Sequence, residues 1–109
     1  MAELTLKELC SKYDVTRRAV QGYENYGLVQ PSSKNKYGHL LYDEAAQKQV
    51  ARIRLFQDFG FSLKEIQKLQ NMSEKKIKAK LEEKSILLEK KKEELLDTLD
   101  EIHDYINRL

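Results

Sequence analysis

Four side chains within six residues have the types and spacing to touch a nucleic acid: Thr16, Arg17, Arg18 and Gln21. A guanidinium forks onto O6 and N7 of guanine, and a carboxamide pairs with N6 and N7 of adenine. Thr16, together with the amides that open a helix, suits a phosphate oxygen. Tyr23 carries a hydroxyl that can be given to another phosphate. A second basic and aromatic set follows in a turn-rich stretch: Lys34, Lys36, Tyr37 and His39. Its lysines would reach the nucleic-acid backbone beside a groove. The alternatives are plain ones: Arg17 and Arg18 as exposed helix charges, Tyr23 as a ring packed on the neighbouring hairpin, Tyr37 and His39 as ordinary hairpin residues. Catalytic chemistry finds no support, since there is no Gly-rich phosphate loop and no Ser/His/Asp or Cys/His set. Cys10, His39 and His103 cannot supply four zinc ligands. No enzyme, metal or cofactor is expected.

These side chains need elements to hold them. Thr5-Leu6-Lys7-Glu8 is a capping box, which opens a helix from Leu6 to about Lys12 with Leu6, Leu9 and Cys10 on one face. Cys10 there reads as a buried structural thiol. After a turn at Tyr13-Asp14-Val15, Thr16 caps a second helix from Arg17 to about Tyr26, closed by Gly27. Two short helices joined by such a turn make a helix-turn-helix, whose second helix leads into the major groove with its N-terminal residues. Residues 28–42 hold no helical period. Apolar flanks at Leu28-Val29 and Leu40-Leu41-Tyr42 around a polar tip predict a small hairpin or wing. Asp43 caps a third helix of about Glu44–Phe59, which Gly60 stops, and Ser62-Leu63-Lys64-Glu65 caps a short fourth.

Composition supports a head with a helical tail. The chain has 109 residues, enough for one small domain or a domain plus an extension. Charged residues make up 35%, above the roughly 25% usual for a globule, and a long solvated helix accounts for the excess. Net charge is only +2, so any basic patch must be local. All four glycines and the single proline lie before residue 62, which puts a boundary near residue 72: a head over 1–72 and a tail over 73–109. In the tail Leu81, Leu88, Leu95, Ile102 and Leu109 recur every seventh residue, with Leu99 and Ile106 between them. That is a coiled-coil seam, polar in its first part at Lys78, Ser85 and Lys92. A helix of this kind, about 54 Å long, is marginal without a partner for its stripe, so a homodimer is expected. The run Lys90-Lys91-Lys92 is matched by Glu89, Glu93 and Glu94 and reads as a solvated face. The longest apolar run is three residues, so no membrane partner is expected, and neither is a secretory signal. A single cysteine fits a reducing cytoplasm.

The stretch from Val15 to Pro31 resembles the second helix of the MerR family of bacterial transcription regulators, which reads roughly V-S-x-R-T-L-R-Y-Y-E-x-x-G-L-L-x-P. Gly38-His39-Leu40-Leu41-Tyr42 stands where that family has G-Y-R-x-Y, and Asp58 to Ile66 is similar to its L-G-F-S-L-x-E-I. The resemblance covers about residues 4–70. It implies a mainly α fold: a winged helix-turn-helix head with a small β-hairpin wing, and a long C-terminal helix that dimerises as an antiparallel coiled coil. It also implies binding to double-stranded promoter DNA, bending and untwisting of that DNA, and work beside RNA polymerase. Arg18 matches the family's helix Arg, Tyr23 the second Tyr of Y-Y-E, and Thr16 the capping Ser/Thr. The family's R-Y is here Gln21-Gly22 and the wing's Y-R is His39-Leu40, so two customary phosphate-binding cations are absent. Lys34, Lys36 and Tyr37 are expected to compensate. Two alternatives stand beside a DNA-binding regulator: a protein-interaction module that keeps the fold without binding DNA, or the N-terminal part of a longer effector-sensing regulator.

Overall fold

A computed structural model describes residues 3–109 as five helices and three short strands. In chain order these are β1 (Leu4–Thr5), α1 (Leu6–Tyr13), α2 (Arg17–Asn25), β2 (Ser33–Lys34), β3 (Leu40–Tyr42), α3 (Glu44–Asp58), α4 (Leu63–Leu69) and α5 (Glu74–Arg108). Every helix starts at a side chain that accepts from an otherwise orphaned backbone amide. Thr5 and Ser62 do so within complete capping boxes, and Thr16, Asp43 and Ser73 as simple caps. Gly27 follows the cap of α2 with φ +70°, a conformation that costs an L side chain free energy and a glycine almost none.

The turn of the helix-turn-helix is held from a distance. Asp14 ends α1 in the left-handed region at φ 53°. The Arg54 guanidinium of α3 donates to the carbonyls of Tyr13 and Asp14 at 2.8 and 2.7 Å. Arg54 therefore serves as a clamp on the end of α1, where a cation also meets the negative end of the helix dipole.

The hairpin is present, with one strand more than the pattern of residues 28–42 predicts. β3 is central: it pairs antiparallel with β2 and also with β1, whose Leu4 and Thr5 lie opposite Tyr42 and Leu41. This pairing ties the start of α1 to the base of the wing. At the wing tip the Asn35 side chain accepts from the amides of Tyr37 and His39 at 2.9 and 3.0 Å, and Gly38 sits at φ +81°.

The head's core gathers Leu9 of α1, Val20 and Tyr23 of α2, Tyr42 of β3, and Val50 and Ile53 of α3, all buried. Phe56, Phe61, Ile66 and Leu69 extend it toward α4. One polar side chain is buried among them. Gln47 accepts from Lys12 Nζ at 3.2 Å and from the Tyr13 hydroxyl at 3.3 Å, and donates to the Tyr42 carbonyl at 3.0 Å. Cys10 is half-buried. The chain divides into two compact units between Asn71 and Met72. Within the second, α5 is one unbroken helix of 35 residues with no buried side chain.

Candidate nucleic-acid interface

The sequence of α2 sorts its two faces. Val20 and Tyr23 point into the core, while Arg17, Arg18 and Gln21 are exposed. Their spacing of one, three and four residues places them together on the solvent face of the helix's first turns. Thr16 caps that end, accepting from the Ala19 amide at 3.0 Å, so its side-chain oxygen is engaged within the helix. Its hydroxyl proton remains the group it can offer to a phosphate.

The wing presents the second set. Lys34, Lys36, Tyr37 and His39 are all exposed, Tyr37 at 72%. Lys36 Nζ stands 5.1 Å from the Tyr37 ring centre and the rings of Tyr37 and His39 lie 6.4 Å apart, so the three form one surface cluster. The β1–β3 pairing brings the wing to α2. Thr5, Leu6, Lys7, Arg17, Gly38, His39 and Leu40 line a groove of about 410 Å³. Arg17 and His39 thus line one groove, and no carboxylate residue is among its lining. Nothing local in the sequence marks Lys7. It follows a capping box on a short amphipathic helix, and only strand pairing sets it beside the wing.

Tyr23 requires a correction. Its ring is 1% exposed, and its hydroxyl donates to Gln57 Oε1 at 2.8 Å. A phosphate oxygen is an acceptor, and a phenol has one proton to give. The hydroxyl that the sequence offered to DNA is therefore committed to α3, and burial raises it above the ordinary phenol range. The physical reason is position on the helix: Tyr23 lies three residues after Val20, on the core-facing side. Its neighbour Glu24 is drawn into the same scaffold, accepting from the buried Tyr42 hydroxyl at 3.0 Å. Burial first, and then the Glu24 carboxylate, raise Tyr42 strongly. Gly22 faces α4, where an added Cβ would meet Leu63 Cδ1 at 3.5 Å, an ordinary contact.

Arg52 and Arg54 of α3 have partners of their own. Arg54 holds the end of α1, and the Arg52 guanidinium lies 5.2 Å from the Phe56 ring centre. On α5, Leu88, Leu95, Leu99, Ile102, Ile106 and Leu109 are exposed and Leu81 is half-buried. The helix's charge is segregated. Residues 74–92 carry eight lysines and four glutamates, whereas residues 93–109 carry one arginine and six acids. The first part is thus net +4 and the second net −5. Among the described residues no group of His, Cys, Asp and Glu side chains could hold a metal ion, and no helix is long and apolar enough to cross a membrane.

Comparison with known proteins adds an independent line. Residues 4–73 match the family model of the MerR HTH family regulatory proteins. The chain is 39% identical over 61 residues to the nodulation protein NolA of Bradyrhizobium elkanii, covering 56% of this chain and 28% of that protein. Among solved structures it is similar to a MerR-family transcriptional regulator from Bacillus cereus, with TM-score 0.80 and 25% identity over 94% of this chain and 79% of that one. It is also similar to the N-terminal part of the Bacillus subtilis multidrug transporter activator MtaN, with TM-score 0.76 and 26% identity over 94% of this chain and 97% of that one. The chain thus spans less than a third of the curated relative's length, and nearly all of the length of MtaN's N-terminal part.

Proposed function

The chain belongs to the MerR HTH family of regulatory proteins, and from that premise we propose that it is a dimeric, sequence-specific DNA-binding regulator of transcription. The observation that carries this reading is the exposed face of α2. Arg17, Arg18 and Gln21 stand free on the first turns of the second helix of a helix-turn-helix, beside a wing that carries Lys34, Lys36, Tyr37 and His39. A helix docked by its N-terminal end sets Arg18 and Gln21 against base edges, while Arg17 and the wing lie along the sugar-phosphate backbone. Thr16 supplies a hydroxyl at the helix start. The dimer is formed by α5 through Leu81, Leu88, Leu95, Leu99, Ile102, Ile106 and Leu109. Its charge segregation favours antiparallel pairing, in which the +4 part of one helix lies along the −5 part of the other. The two heads of such a dimer engage two half-sites of promoter DNA, and distortion of the DNA between the half-sites is the means of regulating RNA polymerase.

Selection of duplexes from a random-sequence pool at two salt concentrations tests the reading. Enrichment of an inverted repeat, with affinity falling as salt rises, is the expected result. A protein that enriches nothing at either concentration is a protein-interaction module on the same fold. The substitution of the family's wing cation by His39-Leu40 would then be the reason.

A further inference from the structure

We infer that the groove between α1, α2 and the wing is a seat for a single sugar-phosphate unit of DNA, and that Lys7 is its principal cation. This rests on the DNA-binding reading above and adds a residue and a contact that the helix-turn-helix pattern does not contain. Thr5, Leu6 and Lys7 line it from the start of α1, Arg17 from the start of α2, and His39 and Leu40 from the wing. Three elements, the wing more than twenty residues from the two helix starts, therefore contribute a lysine, an arginine and a histidine to the walls of one concavity. No carboxylate lines it; Glu8, next to Lys7, is turned back onto Thr5, accepting from the Thr5 amide at 2.9 Å and held below the ordinary carboxylate range by that bond.

The occupant follows from the chemistry of the lining. Leu6 and Leu40 offer an apolar wall, which suits the carbon face of a deoxyribose. The cations around it suit the adjoining phosphate, whose condensed counterions a bound lysine or arginine displaces. The groove also adjoins the end of α2 that must enter the DNA, so a backbone strand flanking the major groove passes over it. The β1–β3 pairing sets Lys7 beside Leu40 at the base of the wing.

The test is the salt dependence of binding. Wild type, Lys7→Gln and Lys48→Gln are titrated against two duplexes of one length, the enriched inverted repeat and its scrambled counterpart, across a salt series. Lys48→Gln removes the same charge from an exposed site on α3, where the ammonium lies 3.6 Å from Glu44. Lys7→Gln is expected to weaken both duplexes by the same factor and to shrink the slope of log K against log salt by about 0.9, while Lys48→Gln leaves the slope as in wild type. Lys7 is exposed and makes no hydrogen bond to the core, so the urea midpoint should not move. An unchanged slope for Lys7→Gln, or equal shifts in both variants, overturns the seat while leaving the DNA-binding reading intact. Wild type that binds neither duplex overturns both.

Discussion

Replacing Tyr23 by Phe separates the role of this residue in the structure from the one its sequence position suggests. The substitution keeps a ring that is 1% exposed and removes only the hydroxyl that donates to Gln57 at 2.8 Å. A neutral hydrogen bond nets about 0.5–1.5 kcal/mol of stability. Gln57 is exposed, so its carbonyl regains water when the bond is lost, and no group is left buried and unsatisfied. The cost should therefore be about 1 kcal/mol, which for a unit of this size lowers Tm by about 4–8 °C. DNA affinity should not change, because the proton that is lost is the one given to Gln57. Urea and thermal denaturation at one protein concentration measure the first effect, the fixed concentration being needed because the proposed dimer would couple stability to mass action. Titration of the enriched duplex measures the second. A variant with wild-type stability and a roughly fivefold higher Kd would refute the reasoning, since that is what a hydroxyl spent on a phosphate would give up.

Other perturbations follow from the same geometry. Gly22→Ala should stabilise the head by up to about 1 kcal/mol, because alanine gains helix propensity and its Cβ meets Leu63 Cδ1 at a comfortable 3.5 Å; a lower urea midpoint would show that α4 cannot accept the methyl. Arg18→Ala should cost about 1–3 kcal/mol of binding and relax the preference at the base it reads, measured against single-base variants of the enriched site; unchanged affinity removes Arg18 from the interface. From neutral pH stability should be level up to the ordinary phenol range near pH 10 and decline above it, because Tyr23 and Tyr42 are both raised and the fold holds them protonated while the unfolded chain ionises; a urea midpoint that stays flat from about pH 8 to about pH 11 contradicts this. Spin labels placed singly at Glu83, Lys90 and Asp97, with Cys10 replaced by Ser, report the pairing of α5. In an antiparallel pair the label separation changes by about 3 Å per residue moved, whereas in a parallel pair it stays constant, so equal separations would reverse the proposed orientation.

What the sequence determined is what short-range physics decides. The start of each helix was legible because a cap and the amide it satisfies lie within three residues of each other, as at Thr5 and Glu8 or Ser62 and Glu65. The end of α2 was legible because a glycine, Gly27, stands where the chain needs the φ of +70° found there. The seven-residue spacing of α5 and the exposed trio Arg17, Arg18 and Gln21 follow equally from helical period. Tertiary structure decided the rest. A two-residue strand such as β1 has no pattern of its own and exists only because β3 is there to pair with it. Tyr23 has a polar tip and an apolar body: its place three residues after Val20 turns the ring toward the core, but where its hydroxyl goes is set by Gln57, 34 residues away. Nothing in its own helix marks Arg54 as a clamp; that role exists only because α1 ends beside it, 40 residues earlier. The groove that joins Lys7, Arg17 and His39 is likewise a product of pairing between distant segments. Periodicity tells which way a residue faces along its own helix, but the neighbour it meets there is set by contacts that close long loops, and a single sequence read locally holds no record of them.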